Sequence, residues 1–260
     1  MDEQRPHEAF NREEWDRRSD DYQSRHGPQI AAAGGAAWGV WQLPELEIDA
    51  LGDVRDLDVL EFGCGAAQWS IALHARGART TGLDMSERQL EHARALMTEA
   101  EVAFPLVQSS AESTPFADES FDVVFCDHGA MTFADPYRTV PEAARILRPG
   151  GLLAFSMHTP ILDLAWMPPA DHPSERLELE YWNLHRIEEP GEPFVFQLRY
   201  GEWIRLFGQS GLVVQSLLEL RPPADATSSY RDEIDRDWAR RWPMEHIWRV
   251  RRARAGSVSA

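Results

Sequence analysis

The chain has only two cysteines, Cys64 and Cys126, too few for a disulfide framework, and this favours a reducing compartment. Positive charge is also scarce. With 26 bases against 43 acids the formal net charge is −17, a field that repels a nucleic-acid backbone. The one basic cluster, Arg249-Val-Arg-Arg-Ala-Arg254, alternates like the solvated face of a final strand rather than gathering into a phosphate-binding patch. No apolar run approaches the roughly 18 residues of a membrane helix. The start, Met1-Asp-Glu-Gln-Arg-Pro, lacks the apolar core of a signal peptide. Internal repeats and long low-complexity segments are missing too. The expectation is a cytoplasmic protein with neither nucleic acid nor membrane as partner.

What is present centres on Val59-Leu-Glu-Phe-Gly-Cys-Gly65, a short apolar run ending in an acid and two glycines, followed by the helix-like Ala66-Ala-Gln-Trp-Ser-Ile-Ala72. Strand, glycine turn and helix start in that order present backbone N–H groups to a polar ligand. Taken alone, the same pattern also serves as a plain βα turn. The rhythm continues with strand 79–84, helix 86–100 capped by Ser86 with Gln89 completing a capping box, strand 104–108, strand 121–127, helix 135–147 and strand 152–157. Such alternation predicts an α/β fold with a mostly parallel, Rossmann-like sheet covered by helices on both faces. Glu61, Asp84, Ser110 and Asp127 fall at or just past strand ends, where ligands bind in such sheets.

The flanks are less regular. Residues 1–50 form an N-terminal helical arm, with a polar helix over 11–25 that Asn11 caps and Glu14 completes as a box. Residues 51–158 form the regular core. Residues 159–192, rich in proline and aromatics, read as a substrate lid or a dimer surface, which keeps a homodimer open. Residues 193–260 return to the same sheet with strands at 194–199, 212–220 and 246–254, the last antiparallel. The whole is one domain.

Four motifs carry a resemblance: Val59-Leu-Glu-Phe-Gly-Cys-Gly65; Gly82-Leu-Asp84-Met-Ser; Ala111-Glu-Ser-Thr-Pro-Phe116 before Ser120-Phe-Asp-Val-Val124; and Leu147-Arg-Pro-Gly-Gly151. In this order and spacing they resemble the class I S-adenosylmethionine-dependent methyltransferases, in particular the branch acting on small molecules. The resemblance covers about residues 55–158. It implies a seven-stranded sheet with the last strand antiparallel, S-adenosyl-L-methionine as cofactor, and a small-molecule methyl acceptor methylated on O, N or C. A non-catalytic protein binding S-adenosylmethionine or adenosylhomocysteine is an alternative, as is an RNA or protein methyltransferase.

The resemblance implies donor contacts at Glu61, Gly63, Cys64, Gly65, Asp84, Met85, Ser110, Ala111, Glu112 and Asp127, with Tyr22 closing over from the arm. Asp84 can accept hydrogen bonds from both ribose hydroxyls, and Glu61 offers negative charge to an ammonium. Two positions depart from the family pattern: Ala67 stands where a third glycine is usual, and Ser110 where an acid is common. Displacement at a sulfonium methyl requires alignment and, for a hydroxyl or ammonium acceptor, removal of a proton, but no metal. His128 and His158, after the fourth and fifth strands, are the candidate bases. Trp15, Tyr22, Trp38 and Trp41 of the arm, with Trp166, Met167, Tyr181 and Trp182 of the insertion, are candidate walls of an acceptor pocket, with ordinary core as the alternative.

Overall fold

The computed structural model describes residues 6–166 and 170–254. Seven strands form the main sheet: β1 (Asp58–Phe62), β2 (Arg79–Asp84), β3 (Leu106–Gln108), β4 (Phe121–Asp127), β5 (Leu147–His158), β6 (Leu212–Leu220) and β7 (Glu245–Arg252). Their spatial order is β6-β7-β5-β4-β1-β2-β3. β7 is antiparallel to both neighbours, and the other pairs are parallel. The expected antiparallel last strand is therefore inserted between β5 and β6.

β1, β4 and β5 are nearly continuous apolar runs because both their faces are covered. Leu60, Phe62, Val124, Leu153 and Phe155 pack one way, with Val140, Trp203 and Phe207. Val59, Val123, Phe125 and Ala154 pack the other, with Trp38, Trp69 and Leu73. Each large side chain buried in these layers stabilises the fold by about 1.5–3 kcal/mol.

The described helices of eight or more residues are α1 (Pro6–Ala32), α2 (Gln68–Ala75), α3 (Glu87–Glu99), α4 (Pro136–Ile146) and α5 (Tyr200–Gln209). The side chain of Ser86 caps α3 by accepting the Gln89 N–H at 3.1 Å. The reciprocal half of the box does not form. The Ser86 N–H donates to Asp84 instead (2.9 Å), and Gln89 Oε1 accepts from Gln23 of α1 (2.9 Å).

α1 differs from the expected 11–25 helix, and from α2 to α5, in how it is attached. It begins at Pro6, so Asn11 lies inside it rather than capping it. Asn11 instead donates to the carbonyls of Phe133 (2.7 Å) and Phe194 (3.0 Å) and accepts the Phe194 N–H (2.7 Å). Buried positions of α1 are polar: His7, Glu8, Asn11, Ser19 and His26. Hydrogen bonds, each contributing on the order of 0.5–1.5 kcal/mol, hold this helix together with ring contacts such as Phe10 to Phe194 and Trp15 to Phe133.

The expected strand over 194–199 is corrected. Only Val195–Phe196 is extended, paired with Arg186–Ile187 in a separate hairpin. Both edges of β5 are already taken by β4 and β7, so no hydrogen-bonding edge remains there for another strand. Among the described residues, no helix is long and apolar enough to cross a membrane.

Candidate active site

A cavity of about 450 Å³ opens at the carboxyl edge of the sheet, in the size range of small-molecule sites. On its β1–β3 side the wall is Glu61, Gly63, Cys64, Gly65, Asp84, Met85, Ser110 and Ala111. Gly63 is required by close packing of the backbone: a Cβ there would lie 2.3 Å from the Ala130 nitrogen. Gly65 has φ +52°, and the nearest atom to a Cβ there would be Gln89 Oε1 at 3.6 Å, so this corner has room. Its N–H donates to Asp84 Oδ2 (2.8 Å), while Asp84 Oδ1 accepts the Ser86 N–H, so the turn and the helix start together orient the carboxylate.

Three carboxylates share this enclosure. Removal from bulk water pushes Glu61 up to about 8, even though it accepts both the N–H (2.9 Å) and the hydroxyl (2.6 Å) of Ser70. The same cause raises Asp84 to about 6. Asp127 is also raised by its enclosure, despite accepting from Gly39 N–H (2.9 Å) and the Ser156 hydroxyl. Acids forced upward by an enclosing wall favour a bound cation, which restores their charged forms.

On the β4–β5 side stand His128 and His158, ring centroids 5.1 Å apart. His128 Nε2 lies 2.5 Å from Glu245 Oε1, and Glu245 also accepts the Val40 N–H (2.9 Å). Burial opposes charge on His128, but the hydrogen bond to Glu245 and the nearby Asp127 outweigh it, so its pKa lies above the usual value. His158, whose Nδ1 is 3.6 Å from Asp163 Oδ1, is shifted downward, chiefly by burial. Two adjacent imidazoles thus have their titrations driven apart. Trp15, Tyr22 and Phe133 add an aromatic wall in which Trp15 meets Phe133 edge-on at 5.0 Å and Tyr22 at 5.5 Å.

The cavity brings together His128, His158, Tyr22, Glu61, Gly63, Cys64, Gly65, Asp84, Met85, Ser110, Ala111 and Asp127. Glu112 is not in the lining. Buried, it holds His7 Nε2 (2.6 Å) and accepts the Asp135 N–H (2.8 Å), joining α1 to the start of α4. Of the aromatics expected around the acceptor, Trp15 and Tyr22 line the cavity and the other five lie elsewhere. Trp38 is fully buried core and donates to Glu45 (2.5 Å), and Trp41 packs with Leu162 and Trp238. Trp166 lies under the Arg231 guanidinium at 4.3 Å, and the hydroxyl of Tyr181 accepts the Tyr200 N–H at 3.1 Å. Trp182 is exposed, and Met167 lies outside the described residues. No described residue of 159–192 lines the cavity, whose cover comes from α1, Gly39–Gln42 and Tyr230–Arg231.

Sequence reading missed Glu8, Trp69, Phe133, Tyr230, Arg231 and Glu245. Glu8 is instructive: its Oε1 accepts from the Ser110 hydroxyl at 2.5 Å. The acid that the Ser110 position lacks is thus delivered from α1, 102 residues away.

Residues 60–155 match the family described as "Methyltransferase domain". A demethylmenaquinone methyltransferase of Listeria monocytogenes serotype 4a (strain HCC23) is 38% identical over 104 residues, covering 38% of this chain and 44% of that protein. The chain thus spans less than half the length of that curated relative. Among solved structures, an S-adenosylmethionine dependent methyltransferase from Mesorhizobium loti is similar with TM-score 0.64 at 22% identity, covering 82% of this chain and 99% of that one. Geranyl diphosphate C-methyltransferase from Streptomyces coelicolor A3(2) gives 0.59 at 20% identity, over 80% and 74%. At such identities the likeness is one of fold. The matched stretch runs from β1 to β5 and leaves out α1, Arg231 and Glu245.

Proposed function

We propose that this chain, whose residues 60–155 match a methyltransferase domain family, is a class I S-adenosylmethionine-dependent methyltransferase that methylates an oxygen of a small organic acceptor. The observation that carries the reading is the set of three enclosed carboxylates, Glu61, Asp84 and Asp127, facing one roomy glycine corner beside an aromatic wall and two histidines. S-adenosylmethionine bears an ammonium, a sulfonium and a ribose diol, and when bound it supplies an activated methyl group. Asp84 would accept from the diol, Glu61 and Asp127 would balance the positive charges, and Ser110 with Glu8 would meet the adenine edge.

The acceptor occupies the β4–β5 side, between the aromatic wall and the histidines. With Nε2–H donated to Glu245, Nδ1 of His128 is the atom that takes the proton of an acceptor hydroxyl, and the carboxylate stabilises the imidazolium that results. α1 covers the site and excludes water. The acidic surface suits a small acceptor better than a polyanion.

Calorimetry with S-adenosylmethionine and S-adenosylhomocysteine tests donor binding, and mass spectrometry of host extracts incubated with labelled donor tests transfer. The reading expects one donor per chain and a labelled small molecule. Absence of donor binding overturns it, and binding without transfer to any fraction favours a non-catalytic binding protein.

A further inference from the structure

Apart from its two histidines, the ionisable groups on the cavity wall are the acids Glu8, Glu61, Asp84 and Asp127, two tyrosines, Cys64 and one arginine. The chain contains no lysine, and Arg231 is the only arginine among the described lining residues. Its side chain is only 16% exposed. Yet the guanidinium makes no hydrogen bond to any described residue, and its Nε is buried without a partner. A buried arginine normally spends its planar fork of donors on carboxylates or carbonyls, and leaving such donors unmet is costly.

The acids around it do not fill that role. Asp235 Oδ2 stands 3.9 Å away, beyond hydrogen-bond reach, while Asp235 itself holds His172 at 3.1 Å. Glu245 gives Oε1 to His128 and the Val40 N–H while its Oε2 makes no hydrogen bond, to Arg231 or to any other described group, and Asp163 accepts from Gln197 Nε2 at 2.8 Å. What Arg231 does have is the face of Trp166, 4.3 Å from its central carbon, which fixes the plane of the guanidinium without consuming its donors. Arg231 lines the same cavity as His128 and His158.

We infer that the methyl acceptor is a small aromatic acid whose carboxylate is held by Arg231, with its ring against Trp15 and Phe133 and its hydroxyl directed to His128. This inference rests on the methyltransferase reading for the identity of the reaction, but the anion site can be tested by itself. The carboxylate supplies a planar pair of acceptors for the unmet donors, and the aromatic wall supplies a flat slot for the ring. Arg231 acts as a specificity-determining residue, taking no proton and making no bond to the methyl group.

The test is a binding panel on the full chain saturated with S-adenosylhomocysteine: hydroxybenzoates, their methyl esters and the parent phenols, titrated by ligand-observed NMR. The expected result is at least tenfold tighter binding of one or more hydroxybenzoates than of the matching ester. That preference should be lost in Arg231→Gln and partly kept in Arg231→Lys. Equal binding of acid and ester by the wild type, a preference that survives Arg231→Gln, or no binding by any acid overturns the inference. If S-adenosylhomocysteine fails to bind, the same panel is run without it. An acid preference there would leave the anion site standing while the methyltransferase reading falls.

Discussion

The two sides of the cavity are built in different ways. The β1–β3 side draws Glu61, Gly65, Asp84 and Ser110 from the ends of strands and the turns that follow, so each sits within a few residues of the element that aims it. The β4–β5 side is assembled from distant stretches: Trp15 from α1, Phe133 after β4, Arg231 from a loop before β7, and Glu245 from β7, 117 residues beyond the histidine it holds. The first side can be encoded in a short motif and moved from one protein to another, whereas the second exists only when the complete chain has folded. On the proposed function, that division would pair a shared handling of the donor with a private choice of acceptor.

The sharpest way to break the comparison is at His128. His128→Ala is expected to slow methyl transfer by roughly 10²–10⁴-fold while S-adenosylhomocysteine affinity stays within about twofold, as calorimetry beside a labelled-transfer assay would show. Glu245→Gln removes the charge that raises the His128 pKa, so the rising limb of the pH–rate profile should move to lower pH and the plateau should fall. An unmoved limb would mean that His128 is not the base. On the other side, Asp84→Asn is expected to weaken S-adenosylhomocysteine binding by on the order of 100-fold, because two charge-assisted hydrogen bonds are lost.

Glu61 gives a pH signature specific to the donor side. Its folded-state pKa of about 8 lies above the unfolded value. Its contribution to stability is therefore complete below the ordinary carboxylate range and is lost as pH rises towards 8. A cationic ligand favours the ionised form, so donor binding near pH 7 should release a proton, seen as a buffer-dependent calorimetric enthalpy, and Glu61→Gln should abolish that release. Smaller still, Trp15→Ala should raise the acceptor KM about tenfold with little change in donor affinity. Trp182→Ala, at an exposed site away from the cavity, should change stability by no more than about 0.5 kcal/mol and leave both affinities alone.

The same division explains what could be read in advance. β2, β4 and β6 have the bounds their hydrophobic runs foretold, and Asp84 with Ser86 is legible because acid, cap and helix start are neighbours in sequence. Asn11 was misread because a polar residue ahead of a helical pattern looks like a cap. Its real partners, Phe133 and Phe194, are brought near only by the fold. The aromatics of the 159–192 insertion suggested a pocket because large side chains must be covered by something, but composition does not say which side covers them. Arg231 and Glu245 stood in an irregular stretch and at a strand end, with no local pattern to single them out.

The fastening of α1 has a consequence for how quickly the site exchanges its contents. Asp20 of α1 meets Arg88 (2.7 Å) and His92 (2.8 Å) of α3 on the outside of the molecule, where ion pairs are weak and are screened by salt. Because α1 supplies Glu8, Trp15, Tyr22 and Gln23 to the cavity wall, loosening its attachment should shorten the residence time of bound ligands as ionic strength rises, placing the tempo of exchange partly under the control of the surrounding medium.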